Sequence, residues 1–146
     1  MGNFSSCFRR NRKYRKKVIQ VIGDKTIFRQ ENGLDWYLTS IWFNSGKKYY
    51  IGGGGLFIFN NIKNEWVQNS VQPNWDILDI KGDELNNIFL TAGYNILWHF
   101  NGVTWVDMTS SIDLVNGSVG RIAINKNIIV TVGSKGSQAV IVMGRR

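Results

Sequence analysis

Four apolar runs in this chain end on a glycine, and a tryptophan follows three of them at a nearly fixed distance. The runs VIQVIG, KYYIG, IFLTAG and IIVTVG end at Gly23, Gly52, Gly93 and Gly133. Trp36, Trp66 and Trp105 follow the first three at separations of 13, 14 and 12 residues. A second apolar run, TIF, LFIF or ILWHF, lies between each glycine and its tryptophan, and AVIVM takes that place in the last repeat. A third run precedes three of the glycines: SIWF (40–43), ILDI (77–80) and RIAI (121–124). These runs are β-branched and aromatic, which suits strands and disfavours helix. The separators NSGK, KGDELN and NKN, and the pairs Asn32-Gly33 and Asn101-Gly102, supply the positive φ angles that tight hairpins need.

The unit is therefore strand, strand ending in Gly, strand, Asn-Gly turn, and a short strand led by Trp. The glycine spacings are 29, 41 and 40 residues. Four short strands in about 40 residues is the period of a β-propeller blade. Runs such as Ile128–Val132 and Leu56–Phe59 are apolar on both faces, as strands covered on both sides must be. Pro73 falls in the loop VQPN, where it interrupts no ladder. The expected fold is all-β, with propeller-like repeats of four-stranded antiparallel blades. The repeats fall at about 18–37, 38–68, 76–108 and 119–146, holding three, four, four and three strands. That is about three and a half blades, short of the four or more of a closed ring. The expectation is an incomplete array, with a small closed four-bladed propeller as the alternative. An open array leaves a bare blade face, a surface for self-association.

The blade GYNILWHFNGVTWVDM resembles the repeats of bacterial β-propeller proteins, including regulator-type and assembly-factor-type propellers. The ending AVIVMGRR looks like a final repeat of such proteins. The resemblance covers residues 18–146 and implies a binding or interaction module. It names no ligand. No WD-type signature is present, so that family's partners are not carried over.

Charge separates the first 17 residues from the rest. The net charge is +8, from eighteen Lys and Arg against ten Asp and Glu. Seven of those bases lie at Arg9, Arg10, Arg12, Lys13, Arg15, Lys16 and Lys17, with no acid before Val18. Residues 1–17 thus read as a basic, disordered tail on a nearly neutral domain. Weak contact of residues 9–17 with anionic membrane or nucleic acid is the partner they suit. The start also matches a myristoylation pattern at Gly2, with Cys7 placed for a second acyl chain beside the polybasic run. No apolar run reaches the roughly 18 residues of a membrane-spanning helix, and no secretory signal is visible. If Met1 is the true start, the expected compartment is cytoplasmic or peripheral to a membrane.

The residues offer little for catalysis. One Cys and one His exclude a multi-cysteine metal cluster and a paired-histidine zinc site. No metal or cofactor is expected. Gly52–Gly55 precedes a strand rather than the Lys-Ser/Thr and helix of a phosphate loop. His99 lies on a strand with no nucleophile beside it. Asp76, Asp79, Asp83 and Glu84 are the densest acids, but their spacing is not that of a calcium loop. Trp36, Trp66 and Trp105, like Gly23, Gly52, Gly93 and Gly133, recur at repeat positions and read as structural. Trp75 does not recur and is the best exposed contact. In a propeller, the turns after alternate strands share one rim. That rim gathers Gln72, Asn74, Trp75, Asp76, Tyr94, Asn95, Ser134 and Lys135 as candidate ligand-binding residues. The expected function is a non-catalytic module binding a protein or glycan there. The alternatives are a fragment of a larger glycan-active propeller enzyme and a membrane-tethered adaptor using the tail.

Overall fold

The computed structural model describes residues 18–22, 24–29, 34, 37–44, 48–60, 62–63, 65–70, 75–112, 114 and 116–145, with the side chains of 18–22 and 26–29 left aside. Residues 1–17, with Gly2, Cys7 and the basic run, lie outside the described residues, as do Gly23, Trp36, Gln72 and Asn74. The chain divides into two compact units, Met1–Glu31 and Asn32–Arg146. In the first, β1 (Val18–Ile22) and β2 (Lys25–Arg29) form an antiparallel hairpin. The first repeat thus shows two strands among the described residues, where the repeat pattern predicts three.

The second unit is three consecutive antiparallel meanders. The first sheet holds β3 (Leu38–Asn44), β4 (Lys48–Gly53), β5 (Gly55–Asn60) and β6 (Glu65–Gln68). The second holds β7 (Ile77–Glu84), β8 (Asn87–Ala92), β9 (Ile96–Phe100) and β10 (Trp105–Asp107). The third holds β11 (Gly117–Asn125), β12 (Ile128–Lys135) and β13 (Gln138–Arg145). The only helical element among the described residues is a 3-10 turn at Thr109–Ile112. The protein is all-β and built of propeller-like antiparallel blades; among the described residues the third has three strands where the other two have four.

The sheets stack face to face with their first strands adjacent. Tyr50 and Leu56 of the first blade pack on Ile77, Ile80, Ile88 and Leu90 of the second. On the other face of the second blade, Phe89 and Leu97 pack on Ile122, Ile124 and Ile129 of the third. Strand β8 is therefore buried at every position, consistent with its uninterrupted apolar run. On the far face of the third blade, Ile141 and Met143 are 71% and 62% exposed.

Each first strand carries a bulge near its start. The register slips between Leu38 and Ser40, between Ile77 and Asp79, and between Val119 and Ile122. Ser40, Asp79 and Arg121 thereby occupy one repeat position. Just before the slip, Leu38, Ile77 and Val119 pair with Gly53, Ala92 and Gly133. The register thus aligns Gly133 with Gly53 and Ala92, one residue off the spacing-based match to Gly52 and Gly93. A Cβ at Gly53 would overlap the Tyr37 carbonyl, and one at Gly133 the Ser118 carbonyl. Gly93 sits in a turn with open space beside it.

The bulges turn polar groups toward the neighbouring sheet, and Asp79 uses this to bridge all three blades. Its Oδ1 accepts from Ser40 Oγ at 2.7 Å and from Ile80 N at 3.0 Å. Its Oδ2 accepts from Ile122 N at 3.0 Å, and Lys81 Nζ stands 3.4 Å from Oδ1. Burial alone would raise its pKa; the Ile122 amide, Ser40, Lys81 and the Ile80 amide outweigh that and lower it below the ordinary 3.8. Further cross-blade bonds run parallel to this one. Thr39 Oγ1 donates to Ile77 O at 2.6 Å, Trp42 Nε1 to Gly82 O at 2.7 Å, and Thr91 Oγ1 to Gly120 O. The order 39 to 77, 40 to 79 and 42 to 82 shows that the first strands run in the same direction. The turns entering them therefore share one end of the stack.

Candidate functional site

That shared end collects most of the rim residues. The turn between β8 and β9 holds Tyr94 and Asn95 at φ 64° and 65°, a left-handed pair that closes a tight hairpin. Asn tolerates this conformation well; tyrosine does so only at a cost of order 1 kcal/mol or more. The turn lifts Tyr94 out, leaving it 80% exposed. Its ring meets Trp75 edge-on, with centroids 4.3 Å apart at 64°. Trp75 is half-buried against the core between the first two blades, rather than open to solvent throughout. The exposed ring of the pair is therefore Tyr94, with Trp75 as its support.

Asp76 is fixed by its backbone, whose carbonyl accepts from Gly93 N at 3.0 Å. Its carboxylate accepts a hydrogen bond from the Tyr37 hydroxyl, which together with burial and the negative charge of Asp76 raises the Tyr37 pKa above 10.0. Tyr37 is 51% exposed, and its carbonyl accepts from Gly54 N at 3.1 Å. Tyr37 belongs to this group, and the repeat spacing did not find it. Only its place one residue beyond Trp36, just ahead of β3, pointed there.

Asn95 ties the rim to the third blade. Its Nδ2 donates to Leu114 O at 3.0 Å, the same carbonyl that accepts from Gly117 N at 2.8 Å. Its Oδ1 is shielded and has no hydrogen-bond partner among the described residues. Ser118 and Ser134 face each other at 3.2 Å, and Lys135 pairs with Gly117 at the end of β12. Ser134 and Lys135 therefore stand at the same end of the third blade.

The remaining candidates are taken up by packing. Gly53 and Gly55 pair across the β4–β5 hairpin, with Gly55 at φ 135°, so the glycine run makes a turn between strands. Trp66 and Trp105 lie on the rings of Phe59 and Phe100, at 5.1 and 5.2 Å, in matching positions of two blades. His99 stacks on Phe89 at 4.2 Å, and its Nε2 lies 3.0 Å from Asn87 Oδ1. Asn87 Nδ2 in turn donates to Asp83 Oδ1 at 2.6 Å. Among the described residues, no three His, Cys, Asp or Glu side chains converge as metal ligands. No helix there is long and apolar enough to cross a membrane. Comparisons with protein-family models, curated proteins and solved structures give no match.

Proposed function

We propose that this chain is a non-catalytic propeller-repeat binding module that recognises a protein or glycan through the rim of Tyr37, Trp75, Asp76, Tyr94 and Asn95. The observation that carries the reading is the Tyr94–Trp75 pair. An aromatic ring held outward by a left-handed turn and backed by a second ring is built at a conformational cost that packing alone does not require. Such pairs stack on sugar faces or insert into partner proteins with little further loss of side-chain freedom. Asp76 and Tyr37 beside it supply directional hydrogen bonds.

The test is a binding panel of immobilised oligosaccharides and peptides, probed with the parent chain and with Tyr94→Ala and Trp75→Ala. Loss of a main anchor corresponds to about 2 kcal/mol, roughly a thirty-fold weakening. Both variants should lose binding while keeping the parent's far-ultraviolet circular dichroism. Variants that bind every panel member as the parent does would remove the rim from consideration. Residues 9–17 carry a separate expectation, weak attachment to anionic surfaces, which a Lys/Arg→Gln series in that segment would abolish.

A further inference from the structure

Among the described residues the third blade has three strands where the other two have four, and those two show what a fourth strand would bring. Strand β6 pairs with β5, and β10 with β9; no strand among the described residues pairs with the outer edge of β13. Yet β13 has eight residues, against six in β5 and five in β9. In the complete blades the fourth strand places a tryptophan on the third strand, Trp66 on Phe59 and Trp105 on Phe100. The register through the second strands equates Phe100, two residues beyond Trp98, with Gly144, two beyond Val142. At Gly144 both rings of that aromatic pair are missing.

A cavity occupies this place. It has a volume of about 140 Å³ and is lined by Phe89, His99, Met108, Ile129 and Gly144, with Lys126 and Arg145 among its wall residues. An apolar cavity of about 150 Å³ accepts a benzene-sized ring. Adding the ring from Gly144 itself is hindered, because a Cβ there would come within 2.9 Å of the Ile129 side chain. Access from beyond β13 remains. The charge of the blade adds a second requirement: residues 117–145 hold Arg121, Lys126, Lys135 and Arg145 and no acid.

We infer that the outer edge of β13 is a docking site for an extended, acidic peptide segment of a partner protein, which adds as the fourth strand and seats an aromatic side chain in the cavity beside Gly144. Main-chain hydrogen bonds along the edge supply affinity, the ring supplies register, and the acidic flanks match Lys135 at one end of the blade and Lys126 and Arg145 at the other, Arg121 being turned to Leu78 O of the second blade. A second copy of this chain docking through the same blade would set these cations against each other, so the occupant is a different, acidic chain.

The probe is a synthetic acidic peptide built on the β10 strand, EVTWVDE, titrated into the full chain and followed by hydrogen exchange and by intensity changes of amide resonances. Binding should slow exchange along β13 and leave Tyr94 and Asn95 unchanged, which separates this site from the rim. Replacing the peptide's tryptophan by alanine, or its acids by lysines, should weaken binding at least tenfold. Arg145→Glu, at an exposed position, should weaken it several-fold and reduce its salt dependence. Gly144→Phe should abolish it; should that variant fail to fold, Arg145→Glu still decides. No binding at millimolar peptide, binding indifferent to the tryptophan, or protection confined to the rim overturns the inference. A self-associated chain that the peptide dissociates also overturns it, since the occupant is then a second copy.

Discussion

The second and third blades share one strand plan and differ in what covers them. The second is flanked on both faces, so β8 is buried end to end and its polar Thr91 and Asn87 are both hydrogen-bonded. The third is flanked by another blade of the second unit on one face, and its outward row of Val132, Ile141 and Met143 is 46–71% exposed. Both strand sets are apolar on both sides in sequence. Apolar content therefore marks what a blade is able to bury, and position in the stack decides what it does bury.

The sharpest test of the difference is Asp79. Replacing it by alanine removes the acceptor that joins three sheets and strands Ser40 and the Ile122 amide; the loss should be about 3–5 kcal/mol in urea unfolding. A loss under about 1 kcal/mol would mean that the carboxylate bridge adds little to what apolar contact and the other cross-blade hydrogen bonds supply. Next, Ile88→Ala in the second blade should cost about 2–5 kcal/mol, because its side chain is fully buried. The matched change Ile141→Ala on the open face should stay within about 0.5 kcal/mol. Equal losses would show that something covers the third blade. Ser40→Ala, which removes one hydrogen bond to the buried carboxylate, should cost about 1.5–3 kcal/mol.

The smallest effect is in pH. The pKa of Asp79 is lowered on folding, so its ionised form is favoured in the folded state. The stability it supplies is fully present above its unfolded value near 3.8 and is lost as pH falls through the lower folded value. Unfolding at graded acidic pH should show this component in the parent and not in Asp79→Asn.

Much of the fold was legible from the chain. Strand periodicity and Asn-Gly turns located β4, β5, β8, β9 and β12 because those strands are continuous apolar runs bounded by turn residues. The packing role of Trp66 and Trp105 followed from their recurrence. The bulges were not legible, since a one-residue slip leaves no mark in composition. With them the alignment of Gly52, Gly53, Gly93 and Gly133 moved by one residue. The role of Asp79 was hidden for the same reason: in sequence it belongs to an acidic cluster, and only the bulge turns it toward Ser40 and Ile122. At the rim, the pairing of Trp75 with Tyr94 needed three-dimensional closure of a loop on a turn nineteen residues later, and Tyr37 entered through a carboxylate it does not adjoin in sequence.

The Asp79 bridge also bears on how the chain is made. Its partners lie at residue 40 on one side and residue 122 on the other. A nascent chain emerging from the ribosome presents the first donor before Asp79 and the last only 43 residues after it. Until then the central carboxylate has solvent where Ile122 will be, and the second blade cannot seal. The three sheets are therefore expected to lock together late in synthesis as one step, rather than to close one by one as each is completed.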